Sequence, residues 1–122
     1  MQWQMTYDEA DDILVVKTAG VIEIESATEM RNEGARLLKQ HDCLRCLLDH
    51  TNLEADALQT LDIYNLPKRY AALGISHAMR MAVVVPPQFR KNMKFFEAVC
   101  QNNGYQVSVF FDHASALTWL KN

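Results

Sequence analysis

The sequence predicts an α/β domain: one five-stranded mixed sheet with about four helices. Three observations carry that reading. Apolar runs of strand length recur at residues 13–16, 44–48, 79–85 and 107–111. The segments between them place apolar residues three and four apart, as helices with one buried face do. Ahead of them all, Trp3, Met5 and Tyr7 alternate with polar residues, and a polar turn at 8–12 follows. So short a connection makes the first strand an antiparallel hairpin partner of the second.

In order, the first helix is expected to begin at a capping box, Ser26-Ala27-Thr28-Glu29, after Gly20 has closed the hairpin unit. Ala27, Met30, Gly34, Leu37 and Leu38 form its buried stripe, and Gly34 there suggests a helix backbone close against the sheet. The strand at 44–48 runs out at Asp49 and opens into a loop. Asp56 is expected to cap a second helix with Leu58 and Leu61 inward, broken at Pro67 and stopped at Gly74. The strand at 79–85 is the most apolar stretch and so is placed centrally in the sheet. Pro86-Pro87 end it and start a helix whose core face is Phe89, Met93, Phe96 and Cys100. Asp112 caps a closing helix that turns Ala114, Leu117 and Leu120 inward, with Trp119 beside them. The order β-β-α-β-α-β-α-β-α implies parallel pairing after the hairpin, with strand-to-helix loops gathered at one sheet edge, where ligands bind in open α/β sheets.

A chain of 122 residues, 49% apolar and 22% charged, reads as a single globular domain over 1–122. It lacks an apolar run long enough to span a membrane and a signal-peptide pattern at its start. Three cysteines argue against a disulfide framework and for a reducing, cytoplasmic setting. Charge is uneven: residues 1–66 hold 13 acids against 5 bases (−8), and residues 67–122 hold 2 against 7 (+5). That split disfavours nucleic-acid binding, which needs one continuous basic face. It suits a bipolar molecule with one basic edge.

The hairpin, the Leu47-Leu48-Asp49 strand end, the Arg80-to-Val85 strand and the closing run from Phe110 to Leu120 resemble STAS-type domains. These are the anti-sigma-factor antagonist (SpoIIAA-like) group, in particular its small bacterial STAS/SEC14-like branch. The resemblance implies a (βα) superhelix with strands in sequence order, no catalytic machinery, and action by binding a partner protein under a phosphorylation switch. It places the acceptor serine after an aspartate, in a run like Asp-Ser-Ser-Gly. This sequence keeps Asp49 but has His50 at the serine position, then Thr51 and Asn52, so the usual acceptor is missing and Thr51 is the substitute left. Asp49, His50 and Thr51 are therefore the candidates for regulation or partner binding. The SEC14-like side of the resemblance implies instead a small-ligand or lipid pocket at the strand ends, lined by Leu53, Leu58, Leu66 and Phe89.

Other constellations carry less. Cys43-Leu44-Arg45-Cys46 has redox spacing but enters a strand, where no helix dipole activates a thiol. Cys100 falls on a core stripe. Asp49-His50 and Asp112-His113 repeat at two strand ends separated by one strand, and no metal site or cofactor is expected from them. A phosphoacceptor receiver would need an acidic pair, a Ser/Thr and a Lys that the strand ends do not supply. Lys68, Arg69, Arg90, Lys91 and Lys94 form the basic edge, a candidate contact for phosphate or an acidic peptide. Phe95 and Val99 flank the core stripe of their helix and either form the centre of a homodimer interface or pack on the closing helix near Trp119 within one chain. Glu25, Glu29 and Glu33 of a second copy would complement the bases around such an interface.

Overall fold

The computed structural model describes residues 1–56 and 60–122. Their elements are β1 (Gln2–Asp8), β2 (Ile13–Ile22), α1 (Ile24–Gln40), β3 (Arg45–Asp56), α2 (Thr60–Tyr64), α3 (Leu66–Ala72), β4 (Arg80–Val84), α4 (Arg90–Asn102), β5 (Gln106–Phe110) and α5 (His113–Lys121). A short 3-10 turn, Pro87–Phe89, leads into α4. The five strands form one sheet in sequence order. β1 pairs antiparallel with β2, and every later pairing is parallel. This is the mixed sheet expected from the hairpin and crossovers.

Strand alternation sorts the core into two unequal layers. Leu14, Val16, Cys46, Leu48, Met81, Val83, Val107 and Val109 face one side, under α1 to α4. Ile13, Leu47, Ala82 and Val84 face the other, where Ala116 and Leu120 of α5 meet them. The three crossovers after β2 thus lie on one face and advance the sheet one strand at a time, which is a superhelix. Phe89, Met93, Phe96 and Cys100 are all buried, as their spacing predicts. The helix after β3 is interrupted at Asn65, and Pro67 sits in the first turn of α3, where its missing N–H costs nothing. The Asp56 side-chain cap and the inward Leu58 lie outside what the structure describes. Leu61, expected inward, is 67% exposed; Ile63 is the α2 residue that enters the core.

Three sequence expectations are corrected at the strand ends. Gly20 does not close the hairpin unit: it takes φ +87°, and β2 continues through it to Ile22. β3 does not run out at Asp49 but follows β2 to Asp56. Because β2 reaches Ile22, only Glu23 separates it from α1. The helix therefore starts at Ile24 without a side-chain cap, and the Ser26 hydroxyl donates to the Glu23 carbonyl (3.3 Å) instead of forming a capping box. At the far end the expected cap does form. Asp112 accepts from the Ser115 amide (2.7 Å) and hydroxyl (2.8 Å), which hold its carboxyl below the usual range.

Edge strand β5 is covered by side chains. On successive turns of α4, Glu97 accepts from the Val109 amide (2.6 Å) and Gln101 donates to the Val107 carbonyl (2.8 Å). These satisfy backbone groups that would otherwise invite another strand.

Gly34 is on the buried face of α1, yet a Cβ there would meet the Met5 methyl at 3.6 Å, ordinary contact. Close approach therefore does not require glycine. Gly34→Ala should raise the unfolding free energy by about 1 kcal/mol through helix propensity. Urea denaturation checks this, and a destabilised variant would show that the backbone is tighter than its geometry indicates.

Candidate functional site

β4 pairs with β3 only as far as Val84, opposite Asp49. Beyond that point β3 keeps β2 as its partner and loses the other. The register between them shifts here: Lys17 faces Asp49, but Ala19 faces Asn52, so His50 and Thr51 oppose Thr18 alone. This is a β-bulge, which breaks regular alternation and re-aims side chains. Asp49 accepts from the Thr51 amide (2.9 Å), so the carboxylate satisfies a donor in the stretch where β4 no longer pairs. The Thr51 hydroxyl also donates to the same carboxylate oxygen.

His50 turns the other way, under the helices, and is 4% exposed. Its Nδ1 lies 2.6 Å from the hydroxyl of buried Thr18, which is itself 3.2 Å from the Asp49 carbonyl. A carbonyl only accepts, so Thr18 satisfies both neighbours by donating to Asp49 and accepting from His50 Nδ1–H. Burial pushes the imidazole pKa down to about 4, against a smaller upward pull from Asp49, and the ring is neutral at pH 7. The three adjacent candidates thus divide. Asp49 and Thr51 bond to each other near the surface, and His50 is withdrawn into the core.

Beside His50 is a cavity of about 70 Å³ beneath α2 and α3. Its walls are apolar, with Ile63, Leu66, Met93 and Phe96 among them, apart from His50, Tyr70 and Arg31. A second void of about 60 Å³ shares Met30, Arg31 and Leu48 with the first. Of the pocket expected at the strand ends, only Leu66 lines this cavity. Leu53 and Phe89 are buried in the surrounding core, and Leu58 lies outside the described residues. Neither Arg31, Thr18 nor Tyr70 stood out in the sequence. Arg31 had a signal available, since it follows Ala27 by four and precedes Gly34 by three on the buried stripe of α1. A charge on that stripe marks a polar requirement inside the fold.

The basic candidates separate. Lys94 is paired with Glu97 (3.3 Å). Arg90 lies over the Phe111 ring at 5.4 Å, and Lys91 beside it is exposed. On α3, Lys68 is exposed, and Arg69 borders a shallow recess with Ile24 and Asp62. Phe95 is 36% exposed but Val99 only 8%, so the two do not form one exposed patch. Nor does Trp119 approach them, for it packs with Phe110 and Arg80 on the α5 face. The three cysteines are free and buried, and burial pushes Cys46 and Cys100 up to about 12, far from a reactive thiolate. Among the described residues, no group of three or more His, Cys, Asp or Glu is placed to hold a metal ion. No described helix is long and apolar enough to cross a membrane.

With this geometry in place, the chain superposes on an anti-sigma factor antagonist from Mycobacterium paratuberculosis. The TM-score is 0.66 at 14% identity, covering 99% of this chain and 96% of that one. The unphosphorylated anti-sigma factor antagonist SpoIIAA gives 0.62 at 14% identity, covering 99% of each. The fold is SpoIIAA-like. An uncharacterized protein of the DUF3478 family from Shewanella loihica, also SpoIIAA-like, gives 0.62 at 17% identity, covering 97% of this chain and 93% of that one. No family model matches the chain, and no curated protein matches it in sequence. Within this SpoIIAA-like domain, the bulge with its buried Thr18–His50 pair is the feature from which site chemistry has to be argued.

That pair sets a pH dependence. In the unfolded chain His50 binds a proton near pH 6.5, whereas in the folded one it does so only near 4. Between those values the unfolded state holds more protons, so stability falls as pH drops through the window. Between pH 7 and pH 5 His50 alone should remove about 2 kcal/mol. Unfolding free energies of wild type and His50→Asn at both pH values measure this, and equal slopes would show that the imidazole is not buried neutral.

Proposed function

We propose that this chain is a non-enzymatic, STAS-like regulatory domain that binds another protein through the edge where its parallel strands end. The observation that carries the reading is where the exposed apolar side chains fall. Ile24 (48% exposed) follows β2, Leu61 (67%) and Tyr64 (61%) follow β3, and Phe111 (40%) follows β5. Large apolar groups gathered at one edge suit a protein interface, which buries such groups at its centre. Arg69, Arg90 and Lys91 border the same edge and fit an acidic rim on the partner. The anti-sigma-factor-antagonist neighbours support the protein-binding reading at the level of fold.

The usual serine switch is not part of this proposal. The residue matched to the acceptor, His50, is buried, and Thr51 is the exposed hydroxyl that remains. Three buried free thiols fit a reducing cytoplasm. The alternative of a small-ligand module has a specific observation in its favour, the cavity at His50, and is developed below.

The test uses the immobilised chain and extract from its own source cells. Wild type should retain a specific protein, and Leu61→Asp/Tyr64→Asp should lose it. Leu44→Asp, an exposed apolar site at the opposite edge, should keep it. Equal retention by all three, or none by wild type, removes the reading.

A further inference from the structure

We propose that the cavity between α1, α2–α3, α4 and the sheet binds a small monocarboxylate, its apolar body among the side chains and its carboxylate at Arg31. The recess holds about 70 Å³, is partly open to solvent, and adjoins a second of about 60 Å³ that shares Met30, Arg31 and Leu48 with it. By the usual measure it has room for on the order of five waters. Water there would find few partners, since the walls are mainly apolar. A short hydrocarbon body satisfies them better.

The polar groups at the cavity select the ligand's head. Arg31 is its one charged wall among the described residues, and it borders all three adjoining recesses. Its guanidinium donates to the Thr28 hydroxyl at 3.3 Å. Burial lowers the guanidinium pKa, and Asp62 on the outer recess offsets part of that. A guanidinium has five donors in a planar fork, a match for a carboxylate that enters from the cavity.

His50 adds no charge, because burial holds it neutral. Tyr70, buried and near Arg31, keeps its phenol protonated, since burial raises its pKa. One cation facing neutral walls calls for a monoanion; a second charge on the ligand would be buried unpaired. Arg31 also borders the outer recess beside Ile24 and Arg69, so this proposal is separated from the partner-binding one by reading the Met30 and Met93 methyls inside the cavity.

The probes are hexanoate and benzoate, with hexan-1-ol as the neutral control, titrated into the full chain by calorimetry and by methyl-detected NMR. The expected result is saturable binding of a carboxylate, with shifts at the Met30 and Met93 methyls. Arg31→Met should weaken that carboxylate about tenfold or more while leaving hexan-1-ol unchanged. Ala27→Leu, which fills the wall where Ala27 is 1% exposed, should abolish binding of both. Should Ala27→Leu fail to fold, the acid-against-alcohol comparison in wild type and Arg31→Met decides alone. The proposal is overturned by no saturable carboxylate binding at millimolar concentration, or by equal hexanoate affinity in Arg31→Met. Shifts confined to residues outside the cavity overturn it equally.

Discussion

The parallel pairing of β2 with β3 is the constraint on which the rest of the molecule depends. It continues to Asp56 after β4 has stopped at Val84. The two strands can stay together over that distance only by absorbing extra residues on β3, at the His50-Thr51 bulge and again opposite Gly20–Val21. A glycine at φ +87° makes the second irregularity possible without strain. The first places an imidazole in the core, where its polar atom must be satisfied, and Thr18 on the partner strand does so. The bulge and the buried polar pair are consequences of one mismatch in register.

The two faces of the sheet are unequal for a related reason. Every crossover helix lies on one side, so α5 alone covers the other, over β3 to β5. The outer surface of β1 and β2 carries Gln4, Thr6 and Lys17, polar groups that tolerate water. On the helical side, α2 and α3 are short, and they replace the single long helix that would have sealed the layer. A layer made of short pieces leaves a cavity beneath them and exposes Leu61 and Tyr64 above. The same break in the helix therefore produces both the inner recess and the outer apolar surface.

Sequence reasoning succeeded where one physical cause dominates. The stripe Phe89, Met93, Phe96 and Cys100 is buried because a 3.6-residue period against a sheet has few alternatives. Asp112 caps α5 because an exposed helix start needs an acceptor, and nothing tertiary competes for it. Ser26 failed under the same rule: β2 ran on, moved the helix start to Ile24 and left the serine inside the first turn. Val99 was read as a flank, yet it is buried. Flank burial depends on which neighbouring helix arrives, and no local pattern encodes that.

The sequence by itself determined the element order, the antiparallel hairpin, the parallel sheet and the core stripe of α4, whereas Leu61 and Ala114, expected inward, are exposed. The features it determined follow from periodicity and connection length, which are local properties of the chain. Only the tertiary structure decided how far β2 and β3 stay paired, and so that Asp49 is inside a strand rather than at its end. It also decided that His50 is buried, that Arg31 reaches a cavity, and that Phe95 and Val99 part company. Each depends on residues more than a dozen positions apart meeting in a particular register. A single shift in that register changes which face a side chain occupies, and pairwise spacing along the chain carries no information about it.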